Sequence, residues 1–197
     1  GIIGHAAAAK YGLKLWKSKQ FQHLPLYMSI LTAELKRYPQ IAFSPHMADQ
    51  VIEVGQNFAG RWSLDKDADD NQFEQRLAVD RNYKPCLLLE PCDKIAGTPD
   101  HVTILRNGTR ARVEDYKMGF RMFDFDEAQH NDQLLLYAWL LWRNMPSLEE
   151  IVIILHAPMF NQRSEAAFAT NLLPALVEPR IEAAWAKIDN LNAKYAG

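Results

Sequence analysis

An Asn-Gly pair between two strand-like runs constrains the fold of this chain more than any other feature. The four residues Arg106-Asn107-Gly108-Thr109 separate runs of strand-forming residues, and Asn-Gly in that setting is the strongest short-range signal for a two-residue hairpin turn. If the first and fourth residues face each other, the numbers of paired residues sum to 215, which places Asp100 opposite Asp115. A three-residue loop would instead shift the pairing by one and separate these two acids.

Side chains alternate along each strand, so the predicted hairpin has two different faces. One face is expected to carry the two acids and Lys117, beside an apolar group that predicts a covering helix: Val102, Ile104, Ala111 and Val113. Tyr116 points to the opposite face. We expect that face to be a wetter surface because its other residues are polar: His101, Thr103, Arg110, Arg112 and Glu114.

Two carboxylates that meet across a partly apolar face repel each other unless a proton or a cation neutralises them. Oxygen ligands of this kind suit Mg²⁺ or Mn²⁺. Lys117 provides an alternative, because its ammonium group could form an Asp–Lys–Asp ion-pair cluster that needs no metal. The residues by themselves favour neither interpretation over the other.

The rest of the chain alternates between helical and strand-like patterns. Helices are predicted at 2–19, 26–38, 46–60, 126–144 (N-cap Asp124 or Asp126) and 174–195, and strands at 73–80, 86–90, 94–105, 110–118 and 150–156. This order indicates an α/β fold with a mixed central β-sheet flanked by helices, whose last strand pairs in parallel after a long connection. We expect a single domain over residues 1–197, with a helical N-terminal part at 1–62, a sheet core at 73–157 and a C-terminal helix at 174–195.

The composition is that of a soluble globular protein, because 48% of the 197 residues are hydrophobic and 23% are charged. The longest apolar run, residues 134–142, is about half of the roughly 18 residues that crossing a membrane requires, so no membrane partner is expected. The start of the sequence lacks the features of a signal peptide, which predicts a cytoplasmic protein. The first residue is not Met, which favours further sequence before Gly1.

The two cysteines, Cys86 and Cys92, limit the metal chemistry of the chain. Two thiols cannot form a four-cysteine zinc site or a four-cysteine iron–sulfur cluster. They are expected to be small buried thiols in a reducing compartment.

Charge is distributed unevenly along the chain, although the net charge is only −2. The first 40 residues contain six lysine or arginine residues and a single acid, Glu34. This basic segment could face a phosphate backbone, and a solvated lysine-rich helix face explains it equally well.

Four short motifs resemble those of one known family. Gly97-Thr98-Pro99-Asp100, followed by Asp115-Tyr116-Lys117, resembles the signature of the PD-(D/E)xK nuclease superfamily. Gln133-Leu-Leu-Leu-Tyr137 is similar to the Gln-x-x-x-Tyr motif of its RecB-type and CRISPR-associated exonuclease branch, and Gly1-Ile-Ile-Gly-His5 resembles the Gly-x-x-x-His motif of that branch. The motifs occur in the correct order and cover the chain from residue 1 to about residue 140.

The resemblance implies a restriction-endonuclease-like αβββαβ core and a divalent-metal-dependent deoxyribonuclease, an exonuclease of recombination, repair or phage DNA processing. It also implies a role for each site residue: Asp100, Asp115, His5 and the main-chain carbonyl of Tyr116 bind Mg²⁺ or Mn²⁺, Lys117 orients or activates the attacking water, and Gln133 and Tyr137 reach toward the lysine or the DNA. Several members of the branch hold an iron–sulfur cluster, which is not expected here because four cysteines are lacking. DNA is the implied substrate, and a separate helicase or recombination protein is an implied partner.

Each of these residues also has a purely structural interpretation. His5 could be a packed or capping histidine of an Ala-rich helix, and Gln133 and Tyr137 could be ordinary residues of a buried helix. The tryptophans could stack on bases or pack in the core: Trp16, Trp62, Trp139, Trp142 and Trp185. The functional alternatives are a catalytically silent nucleic-acid-binding module of the same fold and a metal-dependent hydrolase of another substrate.

Overall fold

The computed structural model describes residues 2–39, 44–118 and 122–195. The helices are α1 Ile2–Ser18, α2 Leu24–Leu35, α3 Pro45–Arg61, α4 Glu127–His130, α5 Asp132–Asn144 and α6 Leu173–Tyr195. The strands are β1 Asp70–Phe73, β2 Leu77–Asp80, β3 Lys94–Gly97, β4 His101–Leu105, β5 Arg110–Tyr116, β6 Glu150–Ala157 and β7 Gln162–Ala169. Short 3-10 turns precede β7 and α6.

A five-stranded mixed sheet forms the centre of the molecule, in the strand order β1-β4-β5-β6-β7. Strand β6 pairs in parallel with β5, and the other three pairings in this sheet are antiparallel. Strands β2 and β3 form a separate two-stranded sheet. The predicted α/β class, the mixed sheet and the parallel pairing of the strand at 150–156 are therefore confirmed.

The register of the β4–β5 hairpin is also confirmed. The pairs run from His101 opposite Glu114 to Leu105 opposite Arg110, and each sums to 215. Arg106, Asn107 and Gly108 have φ angles of +53°, +55° and +80°, so the chain reverses through the four residues between Leu105 and Arg110 and not through Asn107 and Gly108 alone. The turn sequence therefore sets the pairing of the two strands that carry the predicted site.

Two predicted strands were wrong in extent, and a third does not form. The run at 73–80 divides into β1 and β2, which belong to different sheets, and Glu74 with a φ of +52° lies at the bend between them. The run at 94–105 divides at residues 98–100 into β3 and β4. Residues 86–90 form no strand, because their leucines lie on an exposed turn where Leu87 and Leu89 have exposed fractions of 71% and 98%.

Two further elements differ from the predictions. The helix at 126–144 divides into α4 and α5, because the Asn131 side chain accepts a hydrogen bond from the Leu134 amide at 3.0 Å and so caps α5. Of the two predicted caps, Asp126 occupies the N-cap position of α4, without a side-chain hydrogen bond to the helix. Strand β7 was not predicted because its run of small residues, including Ala166, Ala167 and Ala169, lacks the β-branched side chains that identify strands.

One sheet face packs against α5, on which α6 packs in turn, as the apolar residues of the hairpin predict. Val102, Ile104, Ala111 and Val113 join a buried cluster with Leu134 to Leu141 of α5 and Ile181 of α6. The burial of these side chains is the main stabilising contribution that holds α5 over the site strands.

The other sheet face is dry along β4, which contradicts the predicted wetter surface there, whereas Arg110, Arg112 and Glu114 of β5 are only half-buried. His101 and Thr103 each have an exposed fraction of 2%, because α1, α2 and α3 cover this face with a second apolar cluster: Tyr11, Tyr27, Phe58, Trp62 and their neighbours. His101 Nε2 hydrogen-bonds Asn71 Oδ1 at 2.8 Å, which satisfies part of this buried polar layer. The buried Trp62 and Trp139 are core residues.

Two remaining sequence expectations concern the cysteines and membranes. Cys92 is exposed and Cys86 is only partly buried, so the prediction of two buried thiols was wrong. In the part of the chain that the structure describes, no helix has the length and hydropathy needed to cross a membrane.

Candidate active site

Asp100 and Asp115 lie at the end of the β4–β5 hairpin that is distant from the turn. Asp100 directly precedes β4, and its Oδ2 accepts a hydrogen bond from the main-chain amide of Tyr116 at 2.6 Å. Asp115 lies in β5, with an exposed fraction of 6%. The predicted register thus brings one acid from each side of the hairpin to the same end of the sheet.

Lys117 follows β5 and continues its parallel pairing by one residue, because the Lys117 amide donates to the His156 carbonyl at 2.8 Å. Its Nζ lies 2.6 Å from Asp115 Oδ2. The ammonium group therefore forms an ion pair with one of the two acids. This contact corresponds to part of the Asp–Lys–Asp alternative, with Lys117 paired to Asp115.

His5 enters the site from the first turns of α1. Its Nε2 contacts the main-chain carbonyl oxygen of Tyr116 and lies 3.6 Å from Asp100 Oδ2. Gly4 allows this close approach, since a Cβ at that position would lie 3.1 Å from Met118 Cγ. The first glycine of the Gly-x-x-x-His motif, Gly1, lies outside the described residues.

Gln133 and Tyr137 of α5 complete a chain of polar contacts. Lys117 Nζ donates to Gln133 Oε1 at 3.3 Å, and Gln133 Nε2 donates to the Tyr137 hydroxyl oxygen at 2.6 Å. Their i, i+4 spacing places both side chains on one helix face. Gly97 packs against the Tyr137 ring so closely that a Cβ there would lie 2.6 Å from Cε1. This contact joins the Gly-Thr-Pro-Asp motif to the Gln-x-x-x-Tyr motif.

The environment of Asp100 favours its protonated form. Burial raises the pKa of this carboxyl from 3.8 to about 6, assisted by the nearby charges of Asp115 and Glu74, while His5 and the Tyr116 amide oppose the rise. Burial also raises the pKa of the Tyr137 hydroxyl above its ordinary value, although Gln133 opposes the rise. Negative charge concentrated on poorly solvated carboxylates is the setting in which a divalent cation binds favourably.

Replacing Asp100 by Asn should stabilise the metal-free protein at pH 7 but not at about pH 4. The folded-state pKa of Asp100, about 6, exceeds the ordinary 3.8, so its contribution to stability is fully present below about pH 4 and is lost as the pH rises through 6. The amide keeps an acceptor for Tyr116 and carries no charge. We expect the stabilities of Asp100→Asn and wild type to diverge by up to about 3 kcal/mol at neutral pH.

Urea unfolding of both proteins in chelator, between about pH 4 and pH 8, measures this difference. Asp189→Asn is a matched control, because Asp189 is an exposed acid of α6 that pairs with Arg81, and its pH dependence should equal that of wild type. A difference between Asp100→Asn and wild type that stays constant with pH would contradict the prediction.

Glu74 is a further acid of the site that the sequence does not identify. Its main-chain amide donates to the Asp100 carbonyl at 3.1 Å. Burial raises the pKa of the Glu74 carboxyl, with the charge of His5 opposing the rise. No motif marks this residue. The sequence pattern predicts one continuous strand over 73–80, so it does not indicate the bend between β1 and β2 at which tertiary contacts place Glu74.

The donor set fits a hard divalent cation. Carboxylate oxygens of Asp100 and Asp115, the imidazole of His5 and the carbonyl oxygen of Tyr116 are ligand types that Mg²⁺ and Mn²⁺ accept. The ligand atoms of the three ionisable residues do not all lie within 4.8 Å of one another; in the described part of the chain only Cys86, Glu90 and Cys92 form such a group of three. In this arrangement the Asp115 carboxylate contacts Lys117.

The basic residues of the N-terminal segment lie mostly away from this site. Lys10, Lys14 and Lys17 are exposed on α1, about 120–180° around the helix axis from His5. Lys10 and Arg37 both pair with Glu34, which is buried with an exposed fraction of 5%. Part of the basic excess therefore neutralises a buried acid.

Comparison with known proteins identifies the family. A solved structure described as the crystal structure of SSO0001 is similar over 68% of this chain, at 16% sequence identity and a TM-score of 0.32, and this chain spans only 58% of that one. Among curated proteins no match is found. The family model described as the PD-(D/E)XK nuclease superfamily matches residues 2–192. Because this match covers nearly the whole sequence, the chain belongs to the PD-(D/E)XK nuclease superfamily.

Proposed function

We propose that this protein is a divalent-metal-dependent deoxyribonuclease that hydrolyses phosphodiester bonds of DNA, acting as an exonuclease in recombination, repair or phage DNA processing. The observation that carries the proposal is the Asp115–Lys117 ion pair beside Asp100 and His5 at one end of the hairpin. Membership of the superfamily, which is named for nucleases, supports this activity. The branch of RecB-type and CRISPR-associated exonucleases is supported by His5 on α1 and by the Gln133–Tyr137 pair on α5.

Each residue of the site would have a separate role in the hydrolysis. Asp100, Asp115, His5 Nε2 and the Tyr116 carbonyl would hold Mg²⁺ or Mn²⁺, which when bound supplies Lewis acidity and a more acidic water for attack on phosphorus. Lys117 Nζ, held by Asp115, would orient the attacking water and offset the negative charge that develops on the phosphate oxygens. A covalent intermediate with a protein side chain is not required.

Gln133 and Tyr137 would act as positioning residues. Gln133 accepts from Lys117 through Oε1 and donates to Tyr137 through Nε2. This arrangement fixes the direction of the lysine amine and leaves the Tyr137 hydroxyl hydrogen available to a phosphate oxygen of the DNA strand.

A nuclease assay on end-labelled single- and double-stranded DNA tests the proposal, with Mg²⁺, Mn²⁺ or a chelator. We expect mononucleotides or short products to be released progressively from the ends in either metal, and no cleavage in chelator. Salt-dependent DNA binding without cleavage in any metal would instead support the catalytically silent alternative. Faster hydrolysis of small phosphodiesters than of DNA would indicate another substrate.

Replacing Gln133 by Ala should lower kcat for DNA hydrolysis by roughly 10- to 100-fold, because Lys117 keeps its charge and its pairing with Asp115 but loses the second partner that directs it. The metal concentration needed for half-maximal rate should change little, since Gln133 is not among the metal ligands. Steady-state rates across a metal titration measure both quantities. Gln129→Ala on the neighbouring exposed helix α4 is the control and should retain the wild-type kcat. A Gln133 variant with normal kcat and weakened metal dependence would contradict this role.

A further inference from the structure

We propose that Cys86, Glu90 and Cys92 form a second cation site, separate from the active site, that binds a thiophilic divalent cation such as Zn²⁺. One ligand atom from each residue lies within 4.8 Å of the other two. All three belong to the loop between β2 and β3, where Cys86 is partly buried and the other two are exposed. An ion could therefore reach the group directly from solvent.

The loop that carries these residues is held in one conformation by its own contacts. Lys94 Nζ donates to the carbonyl oxygens of Leu87 at 3.0 Å and Leu88 at 2.7 Å, and also contacts that of Glu90. The Cys86 amide donates to the Ala78 carbonyl of β2 at 3.2 Å. The three ligand side chains are thus brought together by the main-chain structure of the loop.

The carboxylate and the second thiol are placed by further main-chain bonds. Glu90 Oε2 accepts a hydrogen bond from the Leu87 amide at 3.1 Å, and the Cys92 amide donates to the Glu90 carbonyl at 2.9 Å. One Glu90 carboxylate oxygen is consequently used within the loop, and the other remains for a ligand. A preformed site reduces the loss of conformational entropy that opposes ion binding.

The donor set selects the class of cation. Two thiolates and one carboxylate suit Zn²⁺, which takes four ligands in a tetrahedron and fills a fourth position with water when the protein provides three. Mg²⁺ prefers an all-oxygen set and is excluded by the sulfur ligands. Two thiolates and a carboxylate leave one negative charge on the zinc complex, which the Lys94 ammonium group next to Glu90 balances.

Binding requires that each thiol release its proton to solvent as its sulfur–metal bond forms, so two protons leave for each ion bound. Partial burial raises the pKa of the Cys86 thiol, and the neighbouring Cys92 thiol raises it further. The affinity should therefore increase with pH near neutrality.

A bound ion would restrain the loop between β2 and β3, and β3 leads into the active site. Strand β3 ends at Gly97, whose backbone packs against Tyr137, and Asp100 follows three residues later. An ion that joins Cys86 to Cys92, two residues before β3, would restrain the strand from which the site segment departs.

Titration of the chain with Co²⁺ tests the proposal, in excess Mg²⁺ and with a phosphine reductant that keeps the thiols reduced. Tetrahedral Co²⁺ bound to sulfur gives a thiolate-to-cobalt charge-transfer band and intense ligand-field bands. We expect these bands to saturate at one equivalent and to disappear when Zn²⁺ is added. Asp115→Asn should show the same bands, which distinguishes this site from the active site and makes the result independent of nuclease activity.

Cys86→Ser and Cys92→Ser should each lose the charge-transfer intensity of one thiolate and bind Co²⁺ at least roughly 100-fold more weakly. Glu90→Gln, which leaves both thiols in place, should weaken binding by roughly 10-fold or more. Circular dichroism of each variant confirms that it is folded. The absence of a charge-transfer band in wild type, or wild-type affinity in Glu90→Gln, would overturn the proposal.

Discussion

Asp115→Asn should lower the rate of DNA hydrolysis about 1000-fold or more at saturating Mg²⁺, which is the largest effect that we expect from a single substitution. Asp115 is buried at the end of β5 and pairs with Lys117, so its replacement removes a proposed metal ligand and the partner of the proposed water-orienting amine. Loss of one transition-state interaction of this kind costs about 100- to 1000-fold, and this substitution disturbs two. The initial rate of release from end-labelled DNA measures the effect.

Lys117→Ala should cause a loss of similar size, while each variant keeps its fold. The two substitutions act on one unit, so the double variant should be little slower than either single variant. Asp189→Asn provides the control, because it makes the same chemical change in an exposed acid of α6, and it should retain the wild-type rate. Unchanged rates in Asp115→Asn and Lys117→Ala would contradict the assignment of the active site.

Gly12→Ala should lower the free energy of unfolding by about 1–3 kcal/mol, although the same change usually stabilises a helix. A Cβ at position 12 would lie 2.8 Å from Cδ1 of Phe73 and closer still to two other ring atoms. The Phe73 ring cannot easily move, because it stacks on the buried His101 ring with a centroid separation of 4.5 Å. The substitution therefore forces α1 away from β1.

Gly60→Ala is the matched control, with an effect of opposite sign. Gly60 lies in the last turn of α3, and a Cβ there has nothing within 4 Å. This variant should gain about 0.5–1 kcal/mol from reduced freedom of the unfolded chain. Urea unfolding midpoints of both variants test the pair. If both glycine substitutions stabilise the protein, the close packing of α1 against Phe73 is contradicted.

Gly12→Ala also has a consequence for activity, since α1 carries His5. Displacing α1 would move the imidazole away from Tyr116 and Asp100. We therefore expect this variant to need more Mg²⁺ for half-maximal activity, whereas Gly60→Ala should not.

The parts of the structure that could be predicted are those with local causes. Asn107 and Gly108 adopt positive φ angles at little cost, so the place of the chain reversal and the register followed from two residues, although Arg106 also has a positive φ. The alternation along β4 and β5 then identified which side chains face α5. The same reasoning failed at residues 73–80, where one continuous pattern hides a bend and a change of sheet.

The features that could not be predicted depend on which helices pack on which face of the sheet. The β4 part of the polar hairpin face is dry because an apolar cluster from the three N-terminal helices covers it, including Tyr11, Tyr27 and Phe58. No periodicity within β4 or β5 indicates that cover. Glu74 enters the active site for a similar reason, since the bend that brings its amide to Asp100 belongs to tertiary packing.

The sequence by itself determined the mixed sheet, the register of the hairpin and the end of it at which Asp100 and Asp115 meet, because turn geometry and side-chain alternation act over a few neighbouring residues. Only the tertiary structure decided that His5 reaches Tyr116 across 111 positions of sequence, that the N-terminal helices cover His101 and Thr103, and that Glu74 lies beside Asp100. These contacts depend on the burial of apolar surface between distant elements, which has no local signature in the chain.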